Sequence, residues 1–398
     1  MIEKSRRLNL RIKPLQLIGF FLGLSFLKAL PIIGNYRFVS LIMVFLIVYT
    51  ALHFKSKRTI KLVSRSILLL VFILLSLIIN QRMGGDPTWN EQQIMCISGI
   101  LLIICAAERK DLSLVYAFVL GCNIWNVVSL FDVINVVLHT SGDTYRGLLL
   151  CGYDNGLGSF LLPLICFNLF FFFSGYNAII TFGSSIIAAL QISIVLSVTP
   201  LFAVVVIGLL TLFEIKNNIY DRIRPWILLA TSYITFFVIV ILQMIDIPFI
   251  TWFLTNVLKR TTDFSSRTYV WKSGIAYFST SPIWGHGRNA DLQRTLFYGV
   301  SSAHNFFLDV LTQVGVVGFT VITVYLIYLV IHKKETYAKK NNLILYVNAL
   351  IVLFVMQFES YCAYFGYPLF ITLLSLMLYL NEFQTVDRKF KKIKFKGR

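Results

Sequence analysis

The chain has 398 residues, of which 57% are hydrophobic and only 14% charged; soluble domains carry about 25% charged residues, and no single soluble core hides this much apolar surface. The net charge of +18 would suit nucleic acid, but its placement excludes that partner. The Lys and Arg residues gather in short loops between apolar runs and near the C-terminus, as the positive-inside rule expects of cytoplasmic segments.

Apolar runs near 20 residues recur along the chain, and in lipid a helix is the simplest element that satisfies its own backbone hydrogen bonds. They predict about twelve spans, at roughly 15–33, 36–54, 62–79, 92–107, 112–138, 156–173, 178–198, 200–215, 226–248, 306–331, 343–362 and 367–382. The fold class expected is an all-α polytopic membrane protein with one large extracytoplasmic loop. Lys4, Arg6, Arg7, Arg11 and Lys13 precede the first run, which reads as an anchor helix. With that end inside, the basic loops 55–58, 108–111, 216–224 and 332–340 and the tail from Arg388 all fall inside. The outside segments are then 81–93, 139–155, the Thr199-Pro200 turn, 249–303 and 364–367. This divides the chain into helices one to nine (1–248), the large loop (249–305), and three last helices with a basic tail (306–398). Within 178–215 two short helices or one kinked helix fit, and Pro200 favours a break. The six cysteines have no metal or disulfide spacing and read as small core residues.

The stretch from about Ile247 to Gly318 is polar and punctuated by Trp and Gly, and it breaks the apolar pattern. Arg267-x3-Trp271 opens a helical run. Pro282-x2-Gly285-x-Gly287 follows as a turn-rich strip where backbone can approach a ligand closely. His304-Asn305, nine residues, Gly315, two residues and Gly318 close it. In order and spacing these motifs resemble the O-antigen ligase / Wzy-type O-antigen polymerase family of bacterial membrane glycosyltransferases.

That resemblance implies a fold related to the GT-C glycosyltransferases and a site at the outer face of the cytoplasmic membrane. It implies transfer of a glycan from undecaprenyl diphosphate to a sugar hydroxyl, with inversion and with neither metal nor cofactor. Undecaprenyl-diphosphate-linked oligosaccharide and the bilayer are the implied partners, with a flippase and a chain-length regulator as neighbours. His304 and Arg267 match the residues on which the family depends, as catalytic groups.

The chemistry suits these residue types independently. Negative charge builds on the leaving diphosphate, and an Arg fork holds phosphate as that charge develops. The acceptor hydroxyl is a poor nucleophile, and a neutral imidazole serves as general base. No Asp-x-Asp lies on an outside loop, which agrees with metal-independent transfer. Trp271, Trp284 and Trp252 are candidates for stacking on sugar faces, or equally for an interfacial aromatic belt.

Substrate-binding candidates extend beyond the motif pair. Arg146 stands on an outside loop, on the wrong side for the positive-inside rule, just before Asn155-Gly156. Gly285, Gly287, Arg288 and Asn305 join it by their places in the motifs. Many family members carry an Arg at the tip of the hairpin before the long loop, whereas the tip here reads Ser197-Val198-Thr199-Pro200. Arg146, Arg260 or Arg288 are the alternatives for that role. Glu359 is an ionisable group at membrane depth, costly without a partner, and is expected to face an outward cavity and pair with an Arg. Asp132 and Asp246 are weaker instances. His286, between two glycines, and His139, at the interface, are minor candidates. A polymerase of surface polysaccharide is the leading expectation, with a ligase next and a lipid-linked glycan flippase as the reading from a different class.

Overall fold

The computed structural model describes residues 13–26, 36–53, 56–139, 149, 154–243, 252, 256, 267–332, 334–337, 339–360 and 366–383. The regular elements described are helical. They are α1 (Pro14–Ser25), α2 (Tyr36–His53), α3 (Lys57–Arg65), α4 (Ile67–Arg82), α5 (Pro87–Arg109), α6 (Ser113–His139), α7 (Asp154–Phe173), α8 (Ala178–Val195) and α9 (Val198–Asn217). A 3-10 turn, Ile219–Arg222, leads to α10 (Pro225–Thr235), which continues as a π-helix over Phe236–Ile241. Then come α11 (Arg267–Ser279), α12 (Ala290–Leu296), α13 (Phe306–Ile327), the short α14 (Lys334–Tyr337), α15 (Lys340–Val355) and α16 (Tyr367–Tyr379).

Among the described residues six helices are long and apolar enough to cross a bilayer, or seven if the bent pair α3–α4 is one span. Five of the expected spans overlap apolar helices too short to cross a bilayer as described, α1, the 39–53 part of α2, 225–241, α15 and 367–382. The span expected at 62–79 is two pieces bent by 58°. Lys57, Arg58, Lys61 and Arg65 on α3 keep that piece at the water boundary, where Arg58 and Arg65 grip the Glu382 carboxylate at 3.0 and 2.6 Å. Between α8 and α9 the break falls at Leu196, whose φ of 55° ends α8 in a left-handed turn. Pro200 sits in the first turn of α9, where a missing N–H costs nothing.

Helix α7 is the axis of the assembly. Its whole 18-residue apolar window, with the run Phe170–Phe173, is buried by other helices, against 28% for the window in α9. Buried amides tie it to α6, where Asn123 and Asn168 exchange hydrogen bonds of 2.9 and 2.8 Å, satisfying polar groups that lipid would leave bare. Cys96, Cys105, Cys122 and Cys166 are free thiols buried in this packing.

Candidate active site

Helix α11 begins at Arg267, and its inner face carries Val270, Trp271 and Gly274, all buried. Gly274 faces Leu308 and Ala303, so α11 lies close against the start of α13. After Ser279 the chain turns back as the strip Pro282–Arg288, which crosses α13 where that helix is broken. The break is at Gly315, with φ 63° and ψ −170°, a conformation open essentially to glycine alone. Interrupting a helix orphans carbonyls above the break and N–H groups below it. The strip supplies partners for both. His286 N–H donates to Thr312 O (2.8 Å) and Gly287 N–H to Gln313 O (2.9 Å). Below the break, Val316 N–H donates to Pro282 O (2.8 Å) and Val317 N–H to Ile283 O (3.3 Å). A Cβ on Gly285 would sit 2.6 Å from the Gln313 carbonyl carbon, and one on Gly287 2.9 Å from Asn80 Cα. Both motif glycines are thus small because protein backbone approaches them. The close approach expected of a ligand is taken by the chain itself.

At the upper end of α13, His304 has φ 49°, a left-handed turn that ends the loop one residue before the helix cap. Asn305 is that cap, its Oδ1 accepting from Leu308 N–H at 2.9 Å. Its Nδ2 donates to Gln357 O at 2.8 Å, and Phe306 N–H donates to Met356 O at 2.8 Å, so the cap is stitched to the end of α15. Asn305 is fully buried in this role, a structural post where substrate contact was expected. Asn305→Ala is expected to lower stability by about 1–2 kcal/mol through loss of the cap. Asn305→Asp keeps the cap oxygen but sets a second acceptor against Gln357 O in a buried site and should lose at least as much, as read by thermal unfolding in detergent.

The segment following α15 then delivers Glu359. Its carboxylate is wholly buried and receives two donors from separate parts of the chain. Arg267 Nη2 donates to Oε2 at 2.8 Å, and His304 Nδ1 lies 2.7 Å from Oε1. Arg267 and His304 remain 19% and 16% exposed, so the carboxylate forms the floor and the two donor side chains its open side. An ionised carboxylate only accepts, so Nδ1 carries the hydrogen, and in the neutral ring Nε2 is left as an acceptor. Three residues spread over 92 positions of sequence are brought together here.

Other candidates lie elsewhere. Trp271 is fully buried in the α11 core and offers no face to a sugar, because it falls on the side of the helix that packs on α13. Trp284 and Trp252 are about half exposed. Arg288 is buried, its guanidinium 5.3 Å from the centre of the Trp89 ring. Its backbone is held by the α4–α5 turn, with N–H to Asn80 Oδ1 at 2.7 Å and O from Asp86 N–H at 2.6 Å. His286 is locked, with Nε2 2.9 Å from both Thr280 Oγ1 and Tyr277 O and its ring stacked on Tyr277 at 4.0 Å. Burial there pushes the Tyr277 phenol above its ordinary value. His139 bonds back to Asn135 O of its own helix. Arg146, Arg260 and Asp246 lie outside the described residues, as does the side chain of Asn155, whose backbone is in the first turn of α7.

One residue escaped the sequence reading. Asp309, one turn into α13, is buried and accepts Ala303 N–H at 2.7 Å. It fixes the turn that presents His304. The signal was present: a carboxylate at membrane depth needs a partner, the argument that singled out Glu359.

Among the described residues no group of three or more His, Cys, Asp or Glu side chains is placed to hold a metal ion. No curated protein matches the chain. A family model described as O-antigen ligase, Wzy_C, matches residues 169–323, a segment that includes α11, the strip, Arg267 and His304 and stops short of Glu359. Over residues 169–323, somewhat more than a third of its length, the chain is therefore similar to the O-antigen ligase family.

Proposed function

We propose that the protein is a membrane glycosyltransferase that polymerises a bacterial surface polysaccharide. Its donor would be a glycan on undecaprenyl diphosphate and its acceptor a sugar hydroxyl of another lipid-linked repeat unit. It would lie in the cytoplasmic membrane with the Arg267–His304 end facing outward. The observation that carries this reading is the buried carboxylate of Glu359, beyond the family-matched region, holding both Arg267 and His304, which lie within it.

The steps follow from that arrangement. His304 Nε2 accepts the proton of the acceptor hydroxyl as its oxygen attacks the anomeric carbon of the donor. The bond from that carbon to the phosphate oxygen breaks on the opposite face, its electron pair leaving with the diphosphate, so configuration inverts. Among the described residues Arg267 gives one N–H to Glu359, and the outer part of its partly exposed guanidinium would meet phosphate oxygens. Glu359 neutralises the imidazolium as it forms and afterwards lets the proton pass to water.

The test is purified protein with a lipid-linked repeat unit as sole substrate. A ladder of lipid-linked polymer with release of undecaprenyl diphosphate is expected, and its absence with an active preparation would remove the polymerase reading. The ligase reading is favoured by the description of the matching family, and it predicts transfer only when a lipid A–core acceptor is added. In cells lacking the protein, single repeats accumulating outside the membrane agree with a transferase, and accumulation inside points to a flippase.

A further inference from the structure

We propose that the protein binds the phosphate headgroup of an anionic phospholipid in a cavity at the end of α9, on the membrane face opposite Arg267 and His304. The cavity, of about 480 Å³, is lined by Phe213, Lys216, Asn217, Asn218, Ile219 and Arg222. Its frame is rigid. Asn218, with φ 53° and ψ 49°, turns the chain from α9 into the 3-10 turn. Lys340 donates to Asn218 Oδ1 at 2.7 Å and forms an ion pair with the buried Glu214 carboxylate, 2.6 Å from Oε1, while Oε2 accepts Tyr220 N–H at 2.9 Å. Lys340 and Glu214 thereby cancel each other's charge. Lys216 and Arg222 are exposed and, among the described residues, neither makes an ion pair. Asp221 stands on the same turn but does not line the cavity. The site therefore presents two uncompensated cations and two side-chain amides, a donor set for phosphate oxygens.

The same donors suit a free phosphate, and the surroundings favour the lipid. Phe202, Val205, Leu209, Leu212 and Phe213 are exposed at helical spacing and form an apolar stripe along the outer face of α9 that runs into the cavity. Trp226, half exposed at the start of α10, is the amphipathic ring expected at headgroup depth. Acyl chains along the stripe would place a headgroup at Lys216 and Arg222. The cavity is remote from the cluster around Glu359. It abuts Lys340, the first residue of α15, whose 16 residues rise about 24 Å before the segment carrying Glu359 begins. The proposal does not depend on the transferase reading.

The test uses the full chain, delipidated in detergent and titrated with phosphatidylglycerol or phosphatidylcholine while bound lipid is counted by native mass spectrometry. Phosphatidylglycerol should bind about tenfold more tightly. K216Q/R222Q should lose about that tenfold, each single variant about threefold, and K216R/R222K should match the wild type. Inorganic phosphate in large excess should fail to displace the lipid. Equal binding of the two lipids, or unaltered phosphatidylglycerol binding by both single variants, would overturn the proposal. Displacement by inorganic phosphate would do the same and assign the cavity to a free anion.

Discussion

Glu359→Gln is expected to lower glycan transfer by about 10²- to 10⁴-fold, the same range expected for His304→Ala, with the protein still inserted and folded. Two partners of Glu359 are donors, Arg267 through Nη2 and His304 through Nδ1. A carboxylate can accept from both. A carboxamide has one accepting oxygen and one NH₂, so one partner must now face a donor. If it is His304, the ring hydrogen moves to Nε2, which removes the base from the face where the acceptor arrives. If it is Arg267, a guanidinium is left with its ion pair broken. Either outcome damages the proposed chemistry through tautomer or charge, and the fall corresponds to about 2.7–5.5 kcal/mol of barrier. Glu359→Ala adds a stability loss of about 3–5 kcal/mol, because it strips the partner from a partly buried cation. The measurement is transfer from a lipid-linked repeat at saturating substrate, beside a thermal unfolding curve. Wild-type rates in Glu359→Gln and His304→Ala would sink the proposed mechanism.

The second large effect is on folding. Gly315→Ala is expected to destabilise by at least about 4 kcal/mol, the range reserved for changes with a specific structural cause. An added Cβ would lie 2.2 Å from Ile283 O and 2.4 Å from its carbonyl carbon, and the neighbour is backbone that cannot rotate away. The strip would have to undock, exposing the Thr312 and Gln313 carbonyls together with the Val316 and Val317 N–H groups. The control is Gly208→Ala in α9, where a Cβ meets nothing within 4 Å and helix propensity improves by up to about 1 kcal/mol. Yield and melting temperature in detergent distinguish the two. Equal melting temperatures for Gly315→Ala and wild type would refute the account of the break.

These two residues also show how far the sequence could be read. Glu359 was legible because a carboxylate at membrane depth is expensive alone, so both its importance and its pairing with an Arg followed from one rule. Gly315, with Gly285 and Gly287, was legible as a place where something comes close, and spacing alone does not say whether that is a ligand or another stretch of chain. Trp271 failed for a related reason. α11 is too weakly amphipathic to announce its inner face, and only its packing on Leu308 and Ala303 shows which side is buried. The positions of the apolar helices were readable from hydropathy. The 58° bend before Ile67 and the break at Leu196 depend on local backbone geometry that composition does not encode.

The discontinuity at Gly315 has a mechanical meaning. Residues 306–314 form a short arm fastened by the strip, the Asn305 cap and the end of α15, while 316–327 form a long arm among the apolar spans. When local bilayer thickness changes, a helix adapts by tilting. The strip bonds Thr312 and Gln313 above the joint and Val316 and Val317 below it, so the two arms are clamped at one angle and tilt of the long arm carries the short arm with it. The alignment of His304 with Glu359 is thereby coupled to the elastic state of the membrane around the long arm.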